Sequence, residues 1–310
     1  MAEEYSVLRV EPSRYVDVQT LIRRCFGRSV PMERLVAKFD TSRFGRRDIG
    51  YLAYDRKDRP AAYYGVFPLR TQMGGRSVLA AQSGDTMTDP EHQRKGLFVR
   101  LATKTYELAA DEGVAFVFGF PNMNSYPGFE RKLGWQFDGR LQEFRWAGHK
   151  IPICELASKS VIVEQFYSAV LKDRGKDGSA IEAQTLFSDA GAFSVERGRN
   201  FLEYKLACGA MILNSKVGPV LVHPKVHAYI GDIPSALCTG VSDLRRYMEN
   251  AGKALLARQV VFSCSRYHPA YSMLSKGHRG EDSLPIGFLD LMGGQSFEGF
   301  SVCRADLDTF

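Results

Sequence analysis

The residues best suited to chemistry in this chain lie in the run Thr86-Met87-Thr88-Asp89-Pro90-Glu91-His92-Gln93-Arg94-Lys95-Gly96-Leu97-Phe98. An extended segment, Ser77 to Met87, leads into it and a helical segment, Leu97 to Ala110, leads out. A strand, a tight turn and a helix N-terminus make an anion site, because the first helical turn has unpaired N–H groups at the positive end of the dipole. Gln93, Arg94 and Lys95 add side-chain donors, and Gly96 lets the backbone close on a ligand. A second polar group follows a short apolar strand, Val114 to Phe120: Pro121-Asn122-Met123-Asn124-Ser125-Tyr126-Pro127-Gly128-Phe129-Glu130-Arg131-Lys132-Leu133-Gly134-Trp135.

The elements that must position these groups read as follows. Tyr5 to Val10 is a strand. Pro12-Ser13-Arg14 opens a helix with Val16, Val18, Leu21, Ile22 and Phe26 as its apolar positions and Gly27 as its stop. Pro31 starts a second helix through Met32, Leu35, Val36 and Phe39. Ile49 to Tyr54, Ala61 to Leu69 and Ser77 to Met87 form an antiparallel meander with turns at Asp55-Arg56-Lys57-Asp58 and Gly74-Gly75. Gly113 ends the helix after the basic loop, Val114 to Phe120 returns by a right-handed βαβ crossover, and Gln136 to Trp146 is a further strand.

Length and composition bound the function. The 310 residues suit one large or two medium domains, and 45% hydrophobic content suffices for a sizeable core. No apolar run approaches the roughly eighteen residues needed to span a bilayer, and the acidic N-terminus Met1-Ala2-Glu3-Glu4 lacks an apolar signal region. The expectation is a cytoplasmic protein with no membrane partner. Cys25, Cys154, Cys208, Cys238, Cys264 and Cys303 are scattered without a CxxC pair, and the six histidines show no HExxH spacing. Buried reduced thiols and no metal are expected. A net charge of +6 favours anionic ligands, but the densest basic cluster, Arg43-Phe44-Gly45-Arg46-Arg47, is too small to suggest nucleic acid.

Gln93-Arg94-Lys95-Gly96-Leu97-Phe98 resembles the Gln/Arg-x-x-Gly-x-Gly/Ala motif of the GNAT superfamily of acyl-CoA-dependent N-acyltransferases, with Phe98 where the family usually has Gly or Ala. The segment from Pro121 to Trp135 is similar to the family's second motif, in which an Asn and a Tyr precede a helix ending in Leu-Gly-Phe. The resemblance covers about Val7 to Trp146. It implies an α/β (α+β) fold with a mixed, mainly antiparallel sheet flanked by helices. It also implies acetyl-CoA or another acyl-CoA as co-substrate, and direct transfer to the amine of a small molecule such as an amino sugar or sugar nucleotide.

By that resemblance the loop from Gln93 to Phe98 binds the pyrophosphate. Met87, Thr88 and Asp89 supply backbone contacts to the pantetheine, with the N–H of Met87 or Thr88 as oxyanion donor, and Asn122 or Asn124 holds the pantetheine amides. Asp85 is the first candidate base; Glu91, His92 or a water chain are alternatives. Gln82 stands nearer the position of a catalytic Glu in some members, and Gln82 and Asp85 face opposite ways unless the strand is bulged. The family's acidic Tyr falls on Glu130, so Tyr126 is the candidate acid. On the acceptor side, Tyr63, Tyr64, Arg43 and Arg46 in the first half and His223, His227, Arg266, Tyr267 and His268 in the second are available.

The second half repeats the order. Val161 to Leu171 is helical, Asp173 to Gly178 a charged turn, and Asn200 to Lys205 a helix or extended segment. Ala210 to Asn214, Pro219 to Val222 and Val226 to Ile230 form a meander. Val241 to Ala257 is helical, Gln259 to Ser263 a strand, His268 to Ser275 a short helix, and Pro285 to Leu291 and Gly299 to Val302 closing strands. This resembles a second, degenerate GNAT fold, with a division at 1–147 and 148–310. Ile233 to Gly240 carries no basic residue, so one CoA site is expected, with the second domain serving the acceptor cleft or a homodimer contact. Two competing readings are an aminoacyl or peptidyl transferase of the Fem type and a catalytically silent CoA-binding module.

Overall fold

The computed structural model describes residues 5–175, 193–224 and 228–310. They fall into two compact units: Met1–Thr71 with Arg76–Asp138 and Leu284–Glu298, and Gln72–Gly75 with Gly139–Ser283 and Gly299–Phe310.

In the first unit, β1 (Ser6–Arg9) leads through a short 3-10 turn into α1 (Tyr15–Phe26), which Gly27 stops in the left-handed conformation (φ 65°). Tyr15, Val18, Leu21 and Ile22 are its buried face; Val16 and Phe26 are exposed, against expectation, because they lie off that stripe. Helix α2 (Met32–Phe39) buries Leu35 and Phe39, and Val36 is exposed. Strands β2 (Ile49–Tyr54), β3 (Pro60–Met73) and β4 (Arg76–Thr88) follow, then α3 (Leu97–Asp111), β5 (Phe116–Gly119) and α4 (Tyr126–Leu133). β1/β2 and β2/β3 pair antiparallel and β4/β5 parallel. One face of this sheet packs on α3 and α4 through Ala81, Leu97, Leu101, Phe129 and Trp135. The other packs on α1 and α2 through Leu52, Tyr63, Phe67 and Met87.

The second unit takes most of β6 (Gln136–Ala147), then α5 (Ile153–Ala157), which the sequence pattern did not reveal, and α6 (Val161–Gly175). Asp173 and Arg174 belong to that helix rather than to a turn; Lys176, Asp177 and Gly178 lie outside the described residues. After β7 (Phe193–Val195) and α7 (Arg199–Ala207) come β8 (Met211–Ser215), β9 (Gly218–His223) and β10 (Ala228–Ile230). Next are α8 (Val241–Leu255), β11 (Gln259–Cys264), α9 (Tyr271–Gly277) and β12 (Glu281–Asp290). β8/β9 and β9/β10 are antiparallel, β10/β11 parallel, and β11/β6 antiparallel. Ser301 and Cys303 form isolated bridges in place of the expected strand at Gly299 to Val302.

The compact units do not follow a simple cut after Ala147. β12 pairs antiparallel with β5 from Gly287 to Asp290, so a late segment closes the sheet of the first unit. The expected mixed, mainly antiparallel α/β fold is what the strand pairing shows.

Candidate active site

The parallel pairing of β4 with β5 covers only Ala80, Ala81 and Gln82. β4 then continues to Thr88, and β5 ends at Gly119. The two strands thus separate at the C-terminal end of β4, which leads directly into the basic loop.

Gln93, Arg94, Lys95 and Gly96 of the loop are exposed. Arg94 and Gly96 have left-handed backbone (φ 63° and 76°), the kind of tight turn in which successive N–H groups form an anion-binding concavity. Gly96 caps α3, with no side-chain hydrogen bond to the cap among the described residues. The first intrahelical bond runs from the Arg100 N–H to the Gly96 carbonyl (3.1 Å), leaving the N–H groups of Leu97, Phe98 and Val99 in the open first turn. Phe98 turns away from the loop: its ring lies 5.2 Å from that of Phe129 and 5.9 Å from that of Tyr64. Gly128 makes the room, since a Cβ there would come within 2.9 Å of the Phe98 ring.

Asp89 is not the backbone contact expected of it. Its N–H donates to the Ala61 carbonyl (2.9 Å) and its own carbonyl accepts from His92 (2.8 Å). Its buried carboxylate accepts from the Glu91 N–H (3.0 Å) and pairs with Arg24 (3.2 Å). Asp89 therefore anchors the loop to α1 and β3. His92, an alternative base, is buried with Nδ1 hydrogen-bonded to the Tyr5 hydroxyl (2.9 Å). Glu91 is exposed.

β4 is bulged. Ala81 packs on the α3 side and Met87 on the α1/α2 side, yet in a regular strand both would face one way. The slip lies between them, at Asp85, whose φ is 51°. Gln82, adjacent to Ala81, and Asp85 thereby share the α1/α2 face. Gln82 is 2% exposed, and its Nε2 has no hydrogen-bond partner among the described residues. Asp85 is ion-paired with Lys38 of α2 (2.6 Å), not with Arg94 or Lys95, and Lys38 Nζ lies 4.9 Å from the Phe67 ring centre. Lys38 was missed in the sequence; the available signal was a cation at i+3 from Leu35 and beside Phe39 on the apolar stripe of α2.

Tyr126 opens α4, packs its ring at a tilt against Phe137 (ring centres 4.4 Å apart), and donates from its hydroxyl to Glu130 (2.7 Å). The Asn122 side-chain oxygen accepts from the N–H groups of Asn124 (3.0 Å) and Ser125 (3.1 Å), so that oxygen builds the turn; Asn124 is exposed.

Several acceptor candidates are structural. Tyr64 is fully buried and bonded to Ser83 (2.8 Å) and Tyr106 (2.6 Å), which accepts from Trp135 (3.0 Å). Burial pushes the Tyr64 and Tyr106 phenols up. Tyr63 is equally buried, and its phenol is raised by burial and by the charge of Asp85. Arg46 donates to the Glu112 carbonyl (3.1 Å), Arg266 lies 4.7 Å over Tyr267, and His223 packs on Phe310 at 5.9 Å. Arg43 is half-buried, and His227 lies outside the described residues.

His268 belongs to a buried network in the second unit. Its Nε2 is 3.0 Å from Asp232. Arg197 donates to Asp232 (2.9 Å), to Asp306 (2.7 Å) and to the Cys303 sulfur (3.2 Å). Asp232, His268 and Cys303 are metal-ligand types within 4.8 Å of one another, but the Arg197 guanidinium already bonds both Asp232 and Cys303 and supplies the local positive charge. Burial would raise the Asp232 carboxyl, yet the His268 hydrogen bond and the Arg197 charge hold it at about 2. None of the six cysteines forms a disulfide among the described residues, and Cys25 and Cys208 are only half-buried.

Residues 6–137 match the model of the acetyltransferase (GNAT) domain family. The first part of the chain is thus similar to the GNAT acetyltransferase domain, over somewhat less than half of the chain's length. Among solved structures, an N-acetyltransferase of Kribbella flavida is 15% identical, with 92% of this chain and 70% of that one covered at a TM-score of 0.56. A Pyrococcus horikoshii protein assigned as an acetyltransferase is 16% identical, with 99% and 95% covered at 0.57. Saccharomyces cerevisiae N-myristoyltransferase, solved with myristoyl-CoA, is 9% identical, with 93% and 82% covered at 0.59. At such identities the likeness is one of fold. No curated protein matches the chain. No helix among the described residues is long and apolar enough to cross a membrane.

Proposed function

We propose that this protein is an acyl-CoA-dependent N-acyltransferase that moves an acetyl group from acetyl-CoA to the amine of a small molecule such as an amino sugar or sugar nucleotide. The observation that carries this reading is the separation of β4 from β5 after Gln82, directly before the uncapped, basic start of α3. In this reading the loop from Gln93 to Phe98 holds the pyrophosphate and the edge of β4 at Met87 and Thr88 bonds the pantetheine. One of their N–H groups stabilises the oxyanion of the tetrahedral intermediate. Both substrates are held together, so transfer is direct. The Tyr126 hydroxyl, held by Glu130, protonates the departing thiolate. The amine proton leaves to Asp85, once Lys38 is displaced, or through water held on the same face of β4. The second unit is a degenerate repeat of the fold without a CoA site, serving acceptor selection or self-association, and the protein works in the cytoplasm.

Calorimetric titration with acetyl-CoA tests the reading. Saturable binding at one site per chain is expected, and absence of binding would falsify the loop assignment. The Lys38–Asp85 pair favours one second reading, a CoA-binding module without turnover, because a neutralised carboxylate is a poor base. Transfer to any member of an amine panel would eliminate it.

A further inference from the structure

A pocket of about 270 Å³ opens beside the basic loop, lined by Tyr5, Asp55, Arg56, Lys57, His92 and Lys95. Three side chains in its wall are cations. The one carboxylate, Asp55, is already occupied: it accepts from the N–H groups of Lys57 (2.8 Å) and Arg59 (3.0 Å) and from the Arg59 guanidinium (2.9 Å). Those hydrogen bonds, led by the Arg59 N–H, hold the Asp55 carboxyl well below its usual range. They also fix the β2–β3 turn that presents Arg56 and Lys57 to the pocket. On the loop side the wall is built rather than incidental. Buried His92 is fixed by Tyr5, and Lys95 Nζ lies 5.6 Å from the centre of the Tyr5 ring. Lys95 immediately precedes Gly96, so the pocket adjoins the start of α3.

A ligand that rests a diphosphate on the α3 N-terminus therefore has a second anion-seeking wall beside it. Coenzyme A carries the matching second anion, a ribose 3′-phosphate on the nucleotide attached to that diphosphate. We propose that the pocket between the β2–β3 turn and the loop is the seat of the 3′-phosphate of CoA, with Arg56 and Lys57 as its specificity-determining cations. This rests on the reading of the loop as the pyrophosphate site. It gives the enzyme a means of distinguishing CoA from 3′-dephospho-CoA, because a phosphomonoester dianion gains charge-assisted bonds there that a free hydroxyl does not.

The test is calorimetric titration of the full-length protein and the Arg56→Ala/Lys57→Ala variant with CoA and with 3′-dephospho-CoA. Both substituted side chains are exposed on a turn, so the fold is preserved. The wild-type protein is expected to bind CoA about tenfold more tightly than 3′-dephospho-CoA. The variant should bind both with the affinity that the wild-type protein has for 3′-dephospho-CoA. Equal wild-type affinity for the two ligands overturns the 3′-phosphate assignment and leaves the loop reading standing. Equal weakening of both ligands in the variant also overturns it, since that result means a diffuse electrostatic effect. Binding of neither ligand to the wild-type protein sinks the loop reading, and this proposal with it.

Discussion

Each unit contains one parallel strand-helix-strand crossover, β4–α3–β5 in the first and β10–α8–β11 in the second. Both helices begin at a glycine without a side-chain cap. The segments before them differ in kind. Asp89 to Gly96 presents exposed Gln93, Arg94 and Lys95 around a left-handed glycine. Gly231 to Gly240 buries Ile233, Pro234 and Cys238, and its one charge, Asp232, is sealed in by Arg197 and His268. The same topology thus yields an open cationic turn in one unit and a packed anionic one in the other. A helix N-terminus becomes a ligand site only where the preceding loop leaves it accessible and of suitable charge.

The largest effect that would break this comparison is at the two cap glycines. Gly96→Asp combined with Arg94→Ala should abolish CoA binding, because the new residue must adopt φ 76° and its carboxylate opposes an anion. Gly240→Asp should leave CoA affinity unchanged, since φ −154° there is ordinary extended backbone. Calorimetry checks both, and circular dichroism checks the fold.

Next in size is the anionic counterpart. Arg197→Met leaves Asp232 and Asp306 buried without their cation and should cost about 3–5 kcal/mol of stability. Denaturant melts measure it. The same cluster predicts an acid limb. The folded Asp232 carboxyl titrates at about 2, below its unfolded value of about 3.9. Its stabilisation is therefore full above the unfolded value and is lost as pH falls towards the folded one. The wild-type melting midpoint should drop across that window, and Asp232→Asn should flatten the drop.

A smaller effect is expected in turnover at the β4 bulge. Asp85→Asn should lower kcat about a hundredfold with acetyl-CoA affinity unchanged if the carboxylate takes the amine proton. An unchanged kcat would assign that step to water. The smallest effect concerns Phe98. Phe98→Ala should cost about 2 kcal/mol of stability, and adding Gly128→Ala should restore part of it, because the new methyl occupies space the ring vacated.

Much of the first unit was legible in its sequence. The meander, the basic loop, α3 and the return strand were expected within a few residues of where they lie, because alternation, glycine turns and helix stops are local signals. The loop's role rested on the same local grammar. The environment of its neighbours did not. Asp85 and Gln82 share a face because of a one-residue slip that no hydrophobic pattern announces, and Lys38 reaches Asp85 across 47 positions of sequence. His92, between a proline turn and a basic run, gave no sign that Tyr5 would bury it. Tyr63 and Tyr64, adjacent on β3, read as a polar-aromatic pair suited to a cleft, but β3 is covered on both faces. The second unit was less legible because two of its helices, α6 and α7, are weakly patterned and its key ion pairs join residues 35 and 109 positions apart.

The sequence by itself determined the order of elements and the charge and glycine of the loop, since backbone preference and hydrophobic period act over a few residues. The tertiary structure alone decided which polar groups are spent in the interior and which remain for a ligand. It paired Asp85 with Lys38, closed Asp232 around Arg197, returned β12 to β5, and brought Arg56 and Lys57 beside Lys95. Desolvation and ion pairing depend on what packs against a residue in space, and packing joins residues that the chain keeps far apart.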